Sequence, residues 1–155
     1  MRAEQDLLSA VALSVFRLNG QVLDVAEHLA RPAGLTAARW QVLGAVLYEP
    51  SSVAGIARQM GITRQSVQRI ADLLVAQGLA EYLPNPAHRT AKLLRPSREG
   101  LDAIKRIDPG HAAFAARLVA QLGHDELDRV REALSSLSTA LDALDRVPVA
   151  TSAAA

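Results

Sequence analysis

A cluster of hydrogen-bond donors is expected on one face of a predicted helix in the middle of the chain. The side chains on this face are Arg64, Gln65, Ser66, Gln68, Arg69 and Asp72. All but Asp72 can donate hydrogen bonds, and arginine and glutamine can form bidentate contacts with guanine and adenine edges in a major groove. A plain solvated face is the alternative, but such faces usually include glutamate, which is absent here. The pattern favours contact with double-stranded DNA.

A second group of candidate residues lies in and around a predicted hairpin loop. His88 and Arg89 follow the stiff segment PNPA at positions 84–87. An arginine at the tip of a projecting loop can enter a narrow minor groove, where the negative potential is enhanced. An exposed arginine without a role is the alternative, and His88 is interpreted as a phosphate contact or plain surface. Ser52, Thr63 and Lys92 complete the predicted DNA-binding set.

The sequence contains no constellation typical of an enzyme or a metal site. His28, His88, His111 and His124 fall on separate predicted elements and lack the His-x-x-x-His and His-Glu-x-x-His spacings of zinc sites. No G-x-S-x-G, P-loop or dinucleotide-binding glycine pattern occurs. The absence of cysteine removes thiol nucleophiles, cysteine zinc ligands and thiol redox switches. We expect no catalysis, no metal and no cofactor.

The distribution of charge points to the same part of the chain. The full length carries 17 Lys+Arg against 16 Asp+Glu, a net charge of +1. Residues 51–100 hold seven of these cations against three acids, a net +4, whereas residues 1–50 and 101–155 sum to −1 and −2. A basic segment attracts polyanions. With only five aromatic residues the chain lacks a stacking platform for single strands, so the expected polyanion is a duplex.

Composition and periodicity predict a mainly helical fold around these residues. Alanine and leucine, both strong helix formers, make up 52 of the 155 residues. The first predicted element is a long helix ended by Pro32 and Gly34. Three shorter helices follow: one capped by Thr36 and closed at Glu49-Pro50, one over Val53–Met60 capped by Ser51 or Ser52, and one capped by Thr63 and ended by Gly78. Strands over 79–83 and 90–95 then enclose a six-residue loop, and two further helices begin at Ser97 and at His124.

Two details of this prediction concern packing. The inward stripe of the helix after Thr63 is expected to comprise Val67, Ile70, Leu73 and Leu74, prolonged back to Ile62. In the helix after Ser97, the segment Asp108-Pro109-Gly110 is expected to produce either a kink or a break, because proline removes a helical hydrogen bond.

Apolar seams with alternating spacings of three and four run along the first and last helices. The first comprises Leu8, Val11, Val15, Leu18, Val22, Val25 and Leu29, and the second Leu127, Val130, Leu134, Leu137, Leu141 and Leu144. Each seam is longer than one small helical core needs, so we expect these helices to interlock with a second subunit, with packing inside one chain as the alternative. The predicted dimerisation residues are Leu8, Val11, Val15, Leu134, Leu137 and Leu141.

The order of elements is the plan of a winged helix-turn-helix: two short adjacent helices and then a hairpin, all within the basic segment. Several runs in this order resemble the MarR family of transcriptional regulators, and the similarity spans residues 5–146. These runs are LTAARWQVL (35–43), IARQMGIT (56–63), VQRIADL (67–73), GL (78–79), NPAHRTAK (85–92) and SREG (97–100).

The resemblance implies an obligate homodimer in which the terminal helices of both subunits intertwine and two winged lobes bind a palindrome. It assigns recognition to residues 63–69, a phosphate contact to Arg69 and the wing tip to Arg89. Two positions depart from the family pattern: Ala87 stands where an acidic residue is common, and Tyr82 where a basic residue is common. These departures imply a looser wing or a weaker minor-groove contact.

The resemblance also implies an effector. Many relatives release DNA on binding a small aromatic acid or phenol between the dimer helices and the DNA-binding lobe. Trp40 and His111 are candidate wall residues of such a pocket, with a core position as the alternative for Trp40. The missing cysteines exclude the branch of the family that responds to thiol oxidation.

The sequence therefore predicts a mainly α protein with a winged helix-turn-helix, a two-stranded wing and terminal dimerisation helices. Residues 1–31 and 101–147 are assigned to dimerisation, 32–100 to DNA binding and 148–155 to a flexible tail. The expected function is a ligand-responsive homodimeric repressor. The alternative is a dimeric small-molecule-binding or interaction module that has lost operator binding. Acidic residues near the N-terminus and the absence of an 18-residue apolar stretch predict a cytoplasmic protein without membrane association.

Overall fold

The computed structural model describes residues 1–145, which form six α-helices and a small antiparallel sheet. The elements are α1 (Arg2–Ala30), α2 (Ala37–Ala45), β1 (Ser51–Ser52), α3 (Val53–Met60), α4 (Arg64–Ala76), β2 (Ala80–Leu83), β3 (Leu93–Pro96), α5 (Arg98–Leu122) and α6 (His124–Asp145), with a 3-10 turn at Arg31–Ala33. The predicted mainly helical fold with a winged helix-turn-helix is confirmed. The predicted flexible tail, residues 148–155, lies outside the described residues.

The chain divides into two compact units. The first, Met1–His111, holds all elements from α1 to β3 together with the start of α5, and the second begins at Ala112. The predicted DNA-binding segment, residues 32–100, falls entirely within the first unit. The assignment of the flanking residues to dimerisation stays a prediction.

Side-chain caps set the starts of the three short helices α2, α3 and α4. Each cap oxygen accepts a hydrogen bond from a backbone N–H that has no partner inside the helix, and such a cap contributes about 1 kcal/mol. The cap and amide residues are Thr36 and Arg39 (3.3 Å), Ser52 and Gly55 (3.1 Å), and Thr63 and Ser66 (3.1 Å). The caps predicted at Thr36 and Thr63 are confirmed, and Ser52 is the cap of α3.

The core of the first unit is built from the end of α1 and the turn after it, α2, α3, α4, the sheet and the first part of α5. Its largest fully buried side chains are Leu43, Ile56, Leu74, Leu94, Ile107, Val42, Val46 and Val67. On α4 the buried positions are 67, 70, 71 and 74, which share one helical face. The predicted stripe is wrong at Leu73 and Ile62, which are 41% and 39% exposed. The buried face is centred between Val67 and Leu74, which leaves Leu73 outside it, and Ile62 precedes the helix.

The sheet has three strands in the order β1-β3-β2, all antiparallel. Ser51 of β1 and Tyr82 of β2 both pair with Leu94 of the central strand. The two-residue strand β1 was not predicted because it is too short to show an alternating pattern. The predicted strand at 90–95 begins only at Leu93, so the loop between β2 and β3 extends over residues 84–92 and is longer than predicted.

Helix α5 runs through Pro109 without interruption. Of the two predicted alternatives, a kink or a break, the break is therefore wrong. Proline has no N–H to offer the carbonyl of Lys105, one turn earlier. Lys105 and Pro109 both lie on the exposed side of α5, so the missing hydrogen bond falls on the side of the helix that faces solvent.

Candidate nucleic-acid interface

An open groove of about 640 Å³ lies between the exposed face of α4, the start of α3 and the wing, which consists of β2, β3 and their connecting loop. Five of the predicted DNA-binding residues line this wing groove: Ser52, Arg64, Gln65, Gln68 and Lys92. They come from three separate parts of the chain, and the fold brings them together. The oxygen of Ser52 is engaged in capping α3, so its contribution to the groove is mainly structural.

The other five predicted residues are exposed but do not line the wing groove. They are Thr63, Ser66, Arg69, His88 and Arg89. The Thr63 hydroxyl is committed to the start of α4, because it accepts from the Ser66 amide and donates to Ser66 Oγ at 2.9 Å. The Ser66 hydroxyl therefore retains a proton that it can donate to a ligand.

A tight turn sets the position of the wing tip. Asn85 Oδ1 accepts a hydrogen bond from the Ala87 amide at 3.0 Å, and the Asn85 carbonyl accepts from the His88 amide at 3.2 Å. Asparagine followed by proline favours such a turn, because its side chain can bond to the backbone two residues on. His88 and Arg89 follow the turn and are exposed at the outer end of the wing.

The cations of α4 and of the wing loop are not neutralised by the protein itself. Arg64, Arg69, Arg89 and Lys92 form no ion pair with any residue in the range 1–145. Arg95 behaves differently, because its Nε lies 2.6 Å from Glu81 Oε1 across the β2–β3 pair. The four unpaired cations are therefore available to an anionic partner, whereas Arg95 stabilises the wing.

A hydrogen-bonded triad that the sequence did not reveal lies on one wall of the groove. Tyr82 of β2 donates from its hydroxyl to Asp72 Oδ1 at 2.7 Å. Gln68 Nε2 lies 2.9 Å from the same carboxylate oxygen and 3.0 Å from the Tyr82 hydroxyl. Gln68 and Asp72 are one helical turn apart on α4, so their contact follows from sequence spacing. The contact with Tyr82 depends on how β2 packs against α4, for which the sequence gives no local signal.

The triad changes the acidity of Tyr82. Burial, the hydrogen bond to Asp72 and the nearby negative charge of Asp72 all disfavour the phenolate and raise the pKa of Tyr82 to about 12, against a smaller opposite effect of the Gln68 hydrogen bond. The ammonium of Lys92 lies 5.9 Å from the centre of the Tyr82 ring, within range of a cation–π contact. Tyr82 is thus a neutral hydrogen-bond donor that ties α4 to the wing.

The raised pKa of Tyr82 predicts a loss of stability in alkaline solution. Below pH 10 the tyrosine is protonated in both the folded and the unfolded chain, and its contribution is fully present. Between pH 10 and about 12 it ionises first in the unfolded chain, so the free energy of unfolding falls. The shift of about two units sets an upper limit of about 2.7 kcal/mol, which solvent at this surface site reduces.

Urea unfolding of the wild type and of Tyr82→Phe at pH 9 and pH 11.5 measures this effect. We expect the wild type to lose more stability than the variant over this interval. Equal losses in the two proteins would show that the Tyr82 hydroxyl is not held as described.

The two predicted pocket residues are in contact with each other. The rings of Trp40 and His111 meet edge to face, with centroids 5.6 Å apart and planes at 85°. Trp40 is half-buried and packs against the core, whereas His111 is exposed. Their assignment to an effector pocket stays a prediction, and so does the alternative that Trp40 serves only the core.

The predicted dimerisation residues are exposed to different degrees in the single chain. Leu8, Leu134 and Leu141 are 62%, 41% and 50% exposed, while Val11, Val15 and Leu137 are half-buried. Four large apolar side chains of α1 that the predicted seam did not include are also exposed: Leu7, Leu13, Phe16 and Leu23. The first helix therefore has more uncovered apolar surface than the predicted seam alone.

Residues 1–145 contain neither a metal-binding cluster nor a membrane-spanning helix. No group of three or more histidine and acidic residues gathers in a way that could hold a metal ion. None of the described helices is long and apolar enough to cross a membrane.

Known proteins match this chain in two ways: a family model matches the part that contains the wing groove, and a relative matches nearly the whole chain. The model of the MarR family matches residues 33–89. An uncharacterized protein of Mycobacterium tuberculosis (strain H37Rv) is 36% identical over 138 residues, which cover 89% of this chain and 96% of the relative.

Solved structures also match the fold. The transcriptional repressor CouR bound to a 23-mer DNA duplex is similar with a TM-score of 0.74 at 25% identity, covering 85% of this chain and 94% of that one. The M. tuberculosis regulator MosR in complex with DNA has a TM-score of 0.73 at 22% identity, with 88% and 98% covered. CouR from Rhodococcus jostii RHA1 bound to p-coumaroyl-CoA has a TM-score of 0.68 at 24% identity, with 82% and 90% covered.

Proposed function

Because this chain belongs to the MarR family, we propose that it is a homodimeric transcriptional regulator that binds a palindromic sequence in double-stranded DNA. Its role is repression, exerted by blocking the access of polymerase to the promoter. Two-fold symmetry would place the α4 helices of the two subunits in successive major grooves, roughly 34 Å apart.

The observation that carries this proposal is the composition of the exposed face of α4 and the adjoining wing groove. Arg64, Gln65 and Gln68 stand together there beside Lys92, and the basic side chains have no acidic partner in the described chain. Cations on one face suit the phosphate backbone, and arginine and glutamine suit base edges. The solved structures of CouR and MosR with DNA support the same use of this fold.

Each predicted DNA-binding residue has a place in this proposal. Arg64, Gln65, Ser66 and Gln68 face the major groove, Arg69 and Lys92 contact phosphates, and Arg89 enters the minor groove with His88 beside it. Thr63 and Ser52 act through the helix starts that they cap.

The exposed apolar residues of α1 support the dimer. Leu7, Leu8, Leu13 and Phe16 are each more than 60% exposed in the single chain. Large contiguous apolar surface on a helix usually marks an interface. A second copy of the chain would cover it together with the half-buried Val11 and Val15, and Leu134, Leu137 and Leu141 of α6 would contribute from the other end of the sequence.

The proposed regulator responds to a small aromatic or phenolic effector, with Trp40 and His111 in the wall of its site. Support comes from the aromatic contact between these two side chains and from the ligand complex of CouR with p-coumaroyl-CoA. No cysteine is present to provide a thiol switch in its place.

Replacing Arg89 by alanine is expected to weaken duplex binding about tenfold while leaving the dimer intact. Arg89 is exposed at the wing, so its removal costs contacts with DNA and leaves the fold unchanged. Fluorescence anisotropy measures the affinity and analytical ultracentrifugation the oligomeric state. Arg31→Ala, at an exposed arginine outside the groove and the wing, is the matched control and should bind as the wild type does. Dissociation of the Arg89 variant into monomers would contradict the assignment of the wing.

One alternative function has an observation in its favour. Asp72 places a carboxylate in the wing groove, where it repels phosphate, and Tyr82 occupies part of the same wall. A dimeric small-molecule-binding or interaction protein that retains the fold but no longer binds an operator would tolerate both features.

Selection from a pool of random duplexes distinguishes the two functions. The proposed regulator should enrich a palindrome whose half-sites lie about one helical turn, 10 to 10.5 base pairs, apart. A pool without any enriched motif, obtained with a dimeric and folded protein, would favour the alternative.

A further inference from the structure

We propose that the hydrogen bond between Tyr82 and Asp72 holds the wing against α4, so that Arg89 reaches the minor groove while α4 lies in the adjacent major groove. Tyr82 and Asp72 are then positioning residues, because they act through Arg89. This inference rests on the proposed DNA binding and adds the device that couples its two kinds of contact.

The strand that carries Tyr82 is the less supported of the two strands of the wing. The central strand β3 is flanked on one side by β1, which pairs with Leu93 and Leu94. Strand β2 lies at the edge of the sheet and pairs with β3 alone, and the last pair before the loop joins Leu83 and Leu93. The wing loop, residues 84–92, therefore extends from two strands of four residues each, one of which is an edge strand.

Tyr82 attaches the loop end of β2 to α4. Its hydroxyl donates to Asp72 Oδ1 at 2.7 Å and lies 3.0 Å from Gln68 Nε2. Within residues 1–145, no other hydrogen bond joins α4 to β2, β3 or the wing loop. The opposite end of β2 is fixed to the start of α5 instead, where the Ser97 amide donates to the Leu79 carbonyl. Without the Tyr82 hydroxyl, the wing would be hydrogen-bonded only at its base.

The chemistry of this attachment makes it a durable one. The acceptor is a carboxylate, and hydrogen bonds to ionised groups are roughly twice as strong as neutral ones. The pKa of about 12 keeps the Tyr82 hydroxyl protonated, and thus a donor, throughout the neutral range. The ring of the same tyrosine lies beside Lys92, the last residue of the wing loop, whose ammonium is 5.9 Å from the ring centre. Tyr82 therefore contacts α4 and the far end of the loop together.

Arg89 is the residue that benefits from a fixed wing. It is exposed in the wing loop and forms no ion pair within residues 1–145, so its guanidinium is available to DNA. A side chain and loop that become ordered only on binding weaken the complex by the entropy they lose. The bond between Tyr82 and Asp72 orders the wing before DNA arrives. Its loss should therefore reduce the contribution of Arg89 to binding.

The first test asks whether Tyr82 acts through Arg89. Tyr82→Phe should weaken binding to the selected palindrome about fivefold, as measured by fluorescence anisotropy. In an Arg89→Ala background the same substitution should change affinity by less than about twofold, because no arginine remains to be placed. Tyr48→Phe removes a hydroxyl from a side chain that is 95% exposed and outside the groove, and this matched control should bind as the wild type does. Equal effects of Tyr82→Phe in the two backgrounds would overturn the inference.

The Asp72 variants separate positioning from repulsion of phosphate. Asp72→Asn removes the negative charge but keeps an oxygen that can accept from Tyr82, whereas Asp72→Ala removes both. If repulsion alone mattered, the two variants would bind the palindrome equally well. We expect Asp72→Ala to bind about fivefold more weakly than Asp72→Asn. Equal affinities of these variants would overturn the inference.

A base analogue gives a readout that a general loss of stability would not change. Replacing adenine by 2,6-diaminopurine adds an amino group in the minor groove and leaves the major-groove edge unaltered. At the positions that Arg89 contacts, the replacement should weaken wild-type binding about tenfold and Arg89→Ala binding by less than about twofold. Tyr82→Phe and Asp72→Ala should lose only about two- to threefold there, while Asp72→Asn should lose as much as the wild type.

The outcomes distinguish this inference from the proposed function. A Tyr82→Phe protein that is folded by circular dichroism and as sensitive to 2,6-diaminopurine as the wild type overturns the role of Tyr82 while DNA binding stands. A wild type that binds the palindrome but is insensitive to the analogue at every position overturns the minor-groove contact of Arg89, and this inference with it. A wild type that enriches no duplex contradicts the proposed function itself.

Discussion

Replacing Gly100 by alanine is expected to lower the free energy of unfolding by about 3 kcal/mol. Gly100 is buried in the first turn of α5, and a Cβ built there would lie 1.9 Å from the Leu79 carbonyl oxygen. The obstacle is backbone, which cannot rotate away as a side chain does. The start of α5 would have to move off the turn between α4 and β2.

Ser97 binds the turn between α4 and β2, so this turn and the start of α5 cannot easily move apart. The Ser97 amide donates to the Leu79 carbonyl at 3.0 Å, and its hydroxyl donates to the Gly78 carbonyl at 2.6 Å. Moving α5 away would therefore strain or break these hydrogen bonds as well.

Chemical unfolding of Gly100→Ala and of the matched variant Gly44→Ala measures this effect. Gly44 lies in α2, and a Cβ there meets nothing within 4 Å. Alanine at 44 should raise stability by about 0.5–1 kcal/mol through its helix propensity. Equal stabilities of the two variants would contradict the close packing of α5 on Leu79.

Raising the salt concentration from 50 to 200 mM is expected to weaken binding to the selected duplex by roughly 10³-fold or more. Arg64, Arg69, Arg89 and Lys92 of each subunit are free of ion pairs within residues 1–145, and a dimer doubles their number. Each cation that neutralises a phosphate releases a counterion, so affinity falls steeply with salt.

The slope of log affinity against log salt concentration can be assigned to particular side chains. Lys92→Ala removes one cation from each subunit and should reduce the slope by about two for the dimer. Arg31→Ala serves as the control of equal charge, outside the groove and the wing, and should leave the slope unchanged. A wild-type affinity independent of salt would argue against phosphate contacts altogether.

The sequence predicted most of what local interactions determine. The caps at Thr36 and Thr63 can be predicted from residue type and spacing, because a cap side chain bonds to an amide only three residues away. The order of helices and the wing could be predicted for the same reason. The continuity of α5 through Pro109 could not, because a proline inside a helix is compatible with both a kink and a break.

The sequence did not predict features that depend on contacts between residues far apart along the chain. Strand β1 forms only because β3 lies beside Ser51 and Ser52, and the buried face of α4 includes Ala71 instead of Leu73 because of what packs against it. Tyr82 stood out in the sequence only as a departure from the family pattern. Its hydrogen bonds to Gln68 and Asp72 join residues 14 and 10 positions apart, which no local rule connects.

The central claim is that two copies of this chain recognise one palindromic duplex by its sequence. The most direct measurement is a titration of the purified chain against the selected palindrome and against a scrambled duplex of the same composition, at one fixed salt concentration. We predict two chains per duplex and an affinity for the palindrome at least about 10³-fold higher. Equal affinities for the two duplexes, or one chain bound per palindrome, would contradict the claim.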